Sequence, residues 1–444
     1  MRVKGVILFF LALSSLTAAG SFQAVNAQEL LTLDEAVSIG LENNFGIRLA
    51  ENRVEIAEND RSVGNAGFLP LIDLTANRTE RVEDSEFQAG GEARSTSGAR
   101  SNNTNASLNF DWTIFDGLQM FNSYSRLGKL EELRRNELNL EQELLVRDIT
   151  LAYYNLIRIT EQLKILENNI SVSQERIEIE ETKVDLGSGS EYDLLQARAD
   201  LSADRAAFLR ESNSLTEARI NLNELLSRSP SETFAVESEI AVRRELPREE
   251  LYTSLINSNT ELALARIEND VRALELREIQ GERFPELTLS SGYSYNRNEN
   301  DGGFIRFNET TGFFVGVTAR VPIFDGFNQN RRIQNAKISQ RSAELSLEQQ
   351  KLRIETLFES AYRTYQNAIQ LVDLETDNLE NAERTLNIAL ERFRLGSISS
   401  LEFREAQTTF LQAENRLINA KYEAKVSETE LLRLSGRLAR LYAY

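Results

Sequence analysis

The sequence predicts an α+β membrane protein in which one structural unit is used twice. Three observations carry this. Motifs recur at a fixed offset: Ile114-Phe115-Asp116-Gly117 returns as Ile323-Phe324-Asp325-Gly326, and Leu186-Gly187-Ser188 as Leu395-Gly396-Ser397, both 209 positions later. Short segments of period-two alternation precede very long segments of heptad spacing, so each unit joins strands to coiled-coil-like helices. An export leader opens the chain, yet no later run approaches the ~18 apolar residues that a helical membrane span needs.

The leader is residues 1–27. Arg2 and Lys4 make a basic start, Val6 to Leu16 a short apolar core, and Val25-Asn26-Ala27 a small-residue cleavage site. No Cys follows that core, which argues against a lipidated N-terminus. Upstream of the strands the repeat offset is 215, since Asn44 matches Asn259 and Pro70 matches Pro285. The register thus changes once, by six residues, between the proline and the Phe-Asp-Gly motif. Such a length change is tolerated in a loop. The first repeat is 28–228, a linker follows over 229–247, the second repeat is 248–435, and 436–444 form a tail.

Each unit reads helix, strand, loop, strand, very long helix, tight turn, helix. Thr32 and Glu35 form a capping box that opens the first helix, which runs towards Gly67; its counterpart spans about Arg248 to Gly281. Pro70 and Pro285 then stop helical structure. Strands are expected at about 69–81, 104–115, 286–297 and 311–322, with loops over 82–103 and 298–310. Ala106, Leu108, Phe110, Trp112 and Ile114 share one face, as do Leu287, Leu289, Tyr293 and Tyr295, and Phe313, Val315, Val317 and Ala319. Four strands leave two raw edges, and neither unit offers an apolar layer to cover a sheet. The pattern therefore favours a lipid-facing barrel, closed by several copies, with Phe110, Trp112, Tyr293, Tyr295 and Phe313 as an aromatic girdle.

After Gly117 and Gly326 the period lengthens. Ile354, Phe358, Ala361, Tyr365, Ala368, Val372, Leu379, Ala382, Leu386, Ala389 and Phe393 form a sustained seam, interrupted only by Glu375. The returning helices keep it, with Asp204 and Glu211 as breaks in the first unit. Asn328 to Leu395 corresponds to ~100 Å of helix. Two half-length helices stacked end to end match one long one, and the linker and tail would belt the stalk.

Composition removes whole classes of function. The chain has no Cys and no His, which excludes disulfides, Cys/His zinc sites and histidine acid–base chemistry. Of 50 Lys and Arg, two lie in the leader, leaving 48 against 69 acids and a net charge of −21. That balance argues against nucleic acid. No nucleophile–base pair, metal cluster or phosphate loop is visible, so neither an enzyme nor a cofactor is expected.

Taken together, the chain resembles the TolC family of outer-membrane efflux channels. The carriers are Leu33-Asp34-Glu35-Ala36, Glu42-Asn43-Asn44, Pro70 and Pro285, the two Ile-Phe-Asp-Gly motifs, and the turns Leu186-Gly187-Ser188 with Asp193-Leu194-Leu195-Gln196-Ala197 and Leu395-Gly396-Ser397 with Glu402-Phe403-Arg404-Glu405-Ala406. The resemblance covers essentially the whole mature chain. It implies a homotrimer in the outer membrane and periplasm, with a 12-stranded β-barrel above a coiled-coil α-barrel. It also implies a passive exit duct that docks to a periplasmic adaptor and an inner-membrane transporter. Leu186, Gly187, Ser188, Leu395, Gly396 and Ser397 then become the docking tip, and Glu402, Glu405 and Asp193 the pore constriction. A ring of these acids would raise its own pKa values. Some members tie the closed tip with a Tyr and an Arg; here those positions are Phe393 and Ile398. The rival reading is an outer-membrane-anchored structural stalk with no open lumen.

Overall fold

The computed structural model describes residues 30–89, 92–302, 305–438 and 441; the leader lies outside them. Helices α1 (Leu33–Asn43) and α2 (Phe45–Asp60) lead into strands β1 (Leu71–Ala89) and β2 (Glu92–Phe115), then α3 (Gln119–Asp185) and α4 (Glu191–Leu225). The second unit repeats this order as α5 (Arg248–Ser258), α6 (Thr260–Gly281), β3 (Glu286–Asn300), β4 (Phe307–Arg320), α7 (Asn328–Arg394) and α8 (Ser400–Leu434). Among the described residues, no helix is long and apolar enough to cross a membrane.

The expected first helix of each unit is two helices. Asn44 leaves the helical conformation (φ −62°, ψ 127°), and its Oδ1 accepts the Gly46 N–H at 2.8 Å to cap α2. Asn259 does the same for α6, accepting from Leu262 N–H at 2.8 Å. Each side-chain amide then donates to the end of the return helix: Asn44 to the Leu225 carbonyl at 3.0 Å and Asn259 to the Leu434 carbonyl at 2.9 Å. The asparagine satisfies orphan groups of two helix ends at once. It also places the short helices end to end beside the long ones. The first unit's short helix stops at Asp60, before the expected Gly67, and a turn carries the chain to β1.

Helices α3 and α7 each hold 67 residues, ~100 Å of unbroken helix. Within the second unit the apolar seam holds α7 to α8: Ile354, Phe358, Tyr365, Ala368, Ala382, Leu386, Ala389 and Phe393 are buried. Glu375, the interruption, is buried too and meets Arg416 at 3.0 Å. The linker and tail lie against the helices at mid-height, where Phe234, Ile240 and Leu438 join the core around Ile149, Tyr153 and Leu156. Two related tyrosines pin the segments entering each unit. Tyr153 donates to the Leu31 carbonyl at 2.9 Å and Tyr362 to the Leu246 carbonyl at 3.3 Å.

The sheet is antiparallel in the order β1-β2-β3-β4. Pairing runs well beyond the expected strands: β1 and β2 continue through 82–89 and 92–103, which composition marks as loop. Ser, Thr and Asn read as turn residues, yet they pair well where both faces meet water. A bulge interrupts the hairpin where Ser97 and Gly98 oppose Asp84. Gly98 adopts φ +70°, and the Asp84 carboxylate accepts from Ser97 Oγ at 2.7 Å and Gly98 N–H at 2.6 Å. Lower down, the register sets Ile72 beside Phe110, Trp112 beside Leu289, and Leu289 beside Val317, so all four strands share one apolar face. Among the described residues, β1 and β4 are sheet edges without a partner strand.

Candidate functional site: the helical tip

Both long helices end in the same turn. After α3, Gly187 takes φ +72°; its N–H donates to the Val184 carbonyl at 2.9 Å and that of Ser188 to the Lys183 carbonyl at 2.9 Å. After α7, Gly396 takes φ +69°, with matching bonds to Phe393 at 3.0 Å and from Ser397 to Arg392 at 2.8 Å. This is the Schellman arrangement, and the left-handed residue is glycine because a Cβ is disfavoured there. Leu186 and Leu395 stand at the apex with 77% and 81% of their surface exposed. Tyr192 and Leu401, in the first turn of each return helix, are exposed as well. This second pair is marked in the sequence only by its shared place in the two units, 209 apart.

The three expected pore acids open the return helices. Glu402 and Glu405 are exposed on α8, and Asp193, the counterpart of Glu402, is partly buried on α4. Glu402 completes a capping box: its carboxylate accepts from Ser399 N–H and Oγ, both at 2.8 Å, while Ser399 Oγ accepts the Glu402 N–H at 3.2 Å. Those bonds from Ser399 hold the carboxyl below its ordinary value. Hydrogen bonds to the charged form favour it.

Phe393 and Ile398 are core residues here. Phe393 stacks on Phe403 with centroids 4.8 Å apart, and Lys183 Nζ sits 3.6 Å from its ring centre. Ile398, Val172 and Ile179 pack on the same cluster. A polar group then links the α3–α4 hairpin to α8. Arg404 of α8 reaches both oxygens of Asp204 on α4, at 2.9 and 3.0 Å. Ser173 of α3 donates to Asp204 at 2.6 Å, and Gln407 of α8 donates to Ser173 and to Asn169, both at 2.9 Å. Arg176 of α3 bridges Asp200 at 2.7 Å and Ser400 at 3.0 Å. Asp204, expected only as a break in a seam, is the hub of this clasp. Among the described residues, no group of three or more metal-ligating acids converges.

The helical hairpins, the four-strand sheet and the twofold repeat together match one known architecture. The description of the outer membrane efflux protein family fits residues 36–228 and 251–437. The chain belongs to that family. It is similar to the outer membrane protein TolC of Vibrio cholerae, at 24% identity over 388 residues that cover 84% of this chain and 83% of that one. It is also similar to the outer membrane efflux protein BepC of Brucella suis, at 19% identity over 412 residues, 92% and 86% of the two chains. In shape it follows the crystal structure of the outer membrane protein VceC from Vibrio cholerae, with a TM-score of 0.76 at 18% identity, over 91% of this chain and 96% of that one. The protein is therefore an outer-membrane channel component that extends into the periplasm, and its relatives are channel proteins. In this family setting the apolar face of the sheet carries Phe110, Trp112, Tyr293, Tyr295 and Phe313 together, and Trp112 Nε1–H donates to the Phe68 carbonyl at 2.9 Å, at the border with the helices.

Proposed function

We propose that three copies close into a passive exit duct, with the apolar sheet face in lipid and the helical tip docked to an adaptor and an inner-membrane pump. One observation carries this reading: the chain is open at both sides. Strands β1 and β4 end the sheet without partners, and the outer helices expose large apolar residues, Phe45, Leu49 and Ile56 on α2 and Ile338, Leu345 and Leu352 on α7. Unpaired edges are untenable in a bilayer, so the barrel closes by head-to-tail addition of copies. At the tip, Leu186 with Tyr192 and Leu395 with Leu401 offer apolar surface that the chain itself does not use. Glu402, Glu405 and Asp193 then line the narrow end and favour cations. Planar-bilayer recording tests the duct: stepwise conductance from purified oligomers supports it. A folded membrane oligomer without conductance, even when its tip is opened by substitution, makes the chain a stalk instead.

A further inference from the structure

We infer that the outward face of the sheet ends in a binding row for a phosphorylated sugar headgroup, the chemistry of the glycolipid in the outer leaflet of outer membranes. The inference rests on the proposed reading that the apolar sheet face meets lipid, and adds what that face meets at its outer rim. The alternation that sets Ile72, Leu74 and Ala76 of β1 on the apolar face sets Arg78 and Glu80 there next. Register carries the change across the sheet. Ala76, Ala106, Tyr295 and Thr311 stand in one row of the ladder. On the same face the next row is Arg78, Thr104, Arg297 and Glu309, and the one after is Glu80, Asn102, Glu299 and Phe307. These rows lie at the end of the sheet away from the helices, and the helices extend into the periplasm. Arginine is costly against the middle of a bilayer and nearly free at its border, so the rows mark headgroup level on the outer side.

The two arginines are set alike. Arg78 Nη2 donates to Glu80 at 3.0 Å, and Arg297 Nε donates to Glu299 at 2.9 Å. Each pair spans two residues of its own strand, and the two pairs share the same two rows. Yet they lie 219 positions apart, where the repeat offset is 215 before the length change and 209 after it. Duplication therefore does not account for the match; shared height in the sheet does. Stability does not account for it either, since exposed ion pairs contribute little. Neither pair uses all of its guanidinium donors, and those that remain suit phosphate oxygens. The carboxylates of Glu80, Glu299 and Glu309 suit sugar hydroxyls, and Thr104 and Asn102 between the pairs add neutral donors and acceptors. Phe307 is 53% exposed, with the Arg297 guanidinium 5.3 Å from its ring centre, and offers an apolar face to a sugar ring. A bare phosphate would engage the arginines alone. A phosphosugar engages every member of the rows.

The test titrates the full-length protein, purified in detergent, with diphosphoryl lipid A, dephosphorylated lipid A or phosphatidylglycerol, and counts bound lipid by native mass spectrometry. Diphosphoryl lipid A should bind roughly tenfold more tightly than either of the others, the worth of a charge-assisted contact. Arg78→Gln with Arg297→Gln should erase that preference. Arg81→Gln should keep it, because Arg81 lies on the opposite face of β1. An undiminished preference in the double variant overturns the proposal. Equal binding of phosphatidylglycerol also overturns it, since phosphate alone would then suffice. Quenching of Trp112 by brominated phospholipid in vesicles of the same protein reads the lipid-facing sheet separately. Quenching without a lipid A preference sinks the row and leaves the duct reading standing. Absence of both sinks the two together.

Discussion

Replacing Asp204 with alanine should free the tip. Within each hairpin apolar contacts run towards the turn: Leu194, Ala197 and Leu201 of α4 are buried, beside the Ser173–Asp204 and Arg176–Asp200 bonds, and Phe393 stacks on Phe403. Between the α3–α4 hairpin and α8 the polar contacts centre on Asp204, Arg404, Ser173, Gln407 and Asn169, which water can replace on separation, beside Val172 and Ile179 packed on the Phe393–Phe403 cluster. On the proposed reading, widening of the tip should part that polar seam first. Asp204→Ala leaves the Arg404 guanidinium, largely buried, with Gln407, Ser173 and the more distant Asp200 at 3.9 Å. Removing one partner of a buried ion pair costs ~3–5 kcal/mol, and the remaining acid argues for the lower figure. About 3 kcal/mol lost from the closed state alone raises the open-to-closed ratio roughly 100-fold. Single-channel open probability in planar bilayers measures this, with circular dichroism to verify that the long helices persist. Arg404→Met combined with Asp204→Leu should restore closure towards wild type, since an apolar pair of similar volume leaves no stranded charge. A folded Asp204→Ala oligomer with unchanged open probability refutes the argument.

Four further outcomes are expected. Trp112, the chain's single tryptophan, should be quenched more by bromines near the lipid headgroups than by deep ones, because its indole N–H reaches Phe68 at the edge of the helical stalk; quenching that grows with depth places the sheet too high. Burial, reinforced by nearby Glu383, pushes the Glu414 carboxyl up to about 7. A raised acid pKa costs the folded state progressively as pH climbs from the ordinary carboxylate range to about 7, and the whole penalty remains above that. Glu414→Gln should thus stabilise the protein at pH 8 and leave it unchanged at pH 4 in thermal melts. Leu186→Asp with Leu395→Asp should abolish export while the oligomer stays abundant in the outer membrane, since both side chains are exposed at the tip; full export removes the apex from the docking surface. Glu402→Gln with Glu405→Gln should relieve block of conductance by a multivalent cation from the periplasmic side. Glutamine keeps the Ser399 capping box, so a persisting block moves the constriction towards Asp193.

Much of the architecture was legible because the duplication made each unit a check on the other. The pairs α3 and α7, α4 and α8, and α1 and α5 match end for end at the offsets read from the motifs. What escaped detection was decided by distant partners. Asn44 lies in a helical pattern with no Pro at the break, and the Leu225 carbonyl, 181 residues away, adds to its local capping bonds in making its departure from the helix favourable. The β1–β2 extension was hidden because Ser, Thr and Asn suit both turns and water-exposed ladders. The clasp was hidden for a third reason. Asp204 lies on a seam position and counts as an interruption until Arg404 is set against it across 200 residues. Its signal was complementarity: Asn169, Ser173 and Arg176 on one helix, and Arg404 and Gln407 on another, all fall on or beside seam positions.

The placement of polar and apolar seams along the stalk has a mechanical consequence. At mid-height, α3 buries Leu145, Val146, Ile149, Tyr153, Leu156 and Ile157, and the linker and tail pack over that cluster. Further towards the turn, the residues that α3 buries are Gln162, Asn169, Ser173, Arg176 and Glu180. Apolar contacts gain nothing from entering water, so the middle of the stalk resists separation. Polar contacts exchange protein partners for water at a small net cost, provided that none is left buried alone. The same two hairpins are thereby fixed to each other at one end and separable at the other. The proposed duct would use both properties: a wall that stays sealed across the periplasm and a mouth that changes width. A heptad seam of uniform leucine would supply the first and forbid the second, which is a physical reason for charged residues at positions where a coiled coil alone would place none.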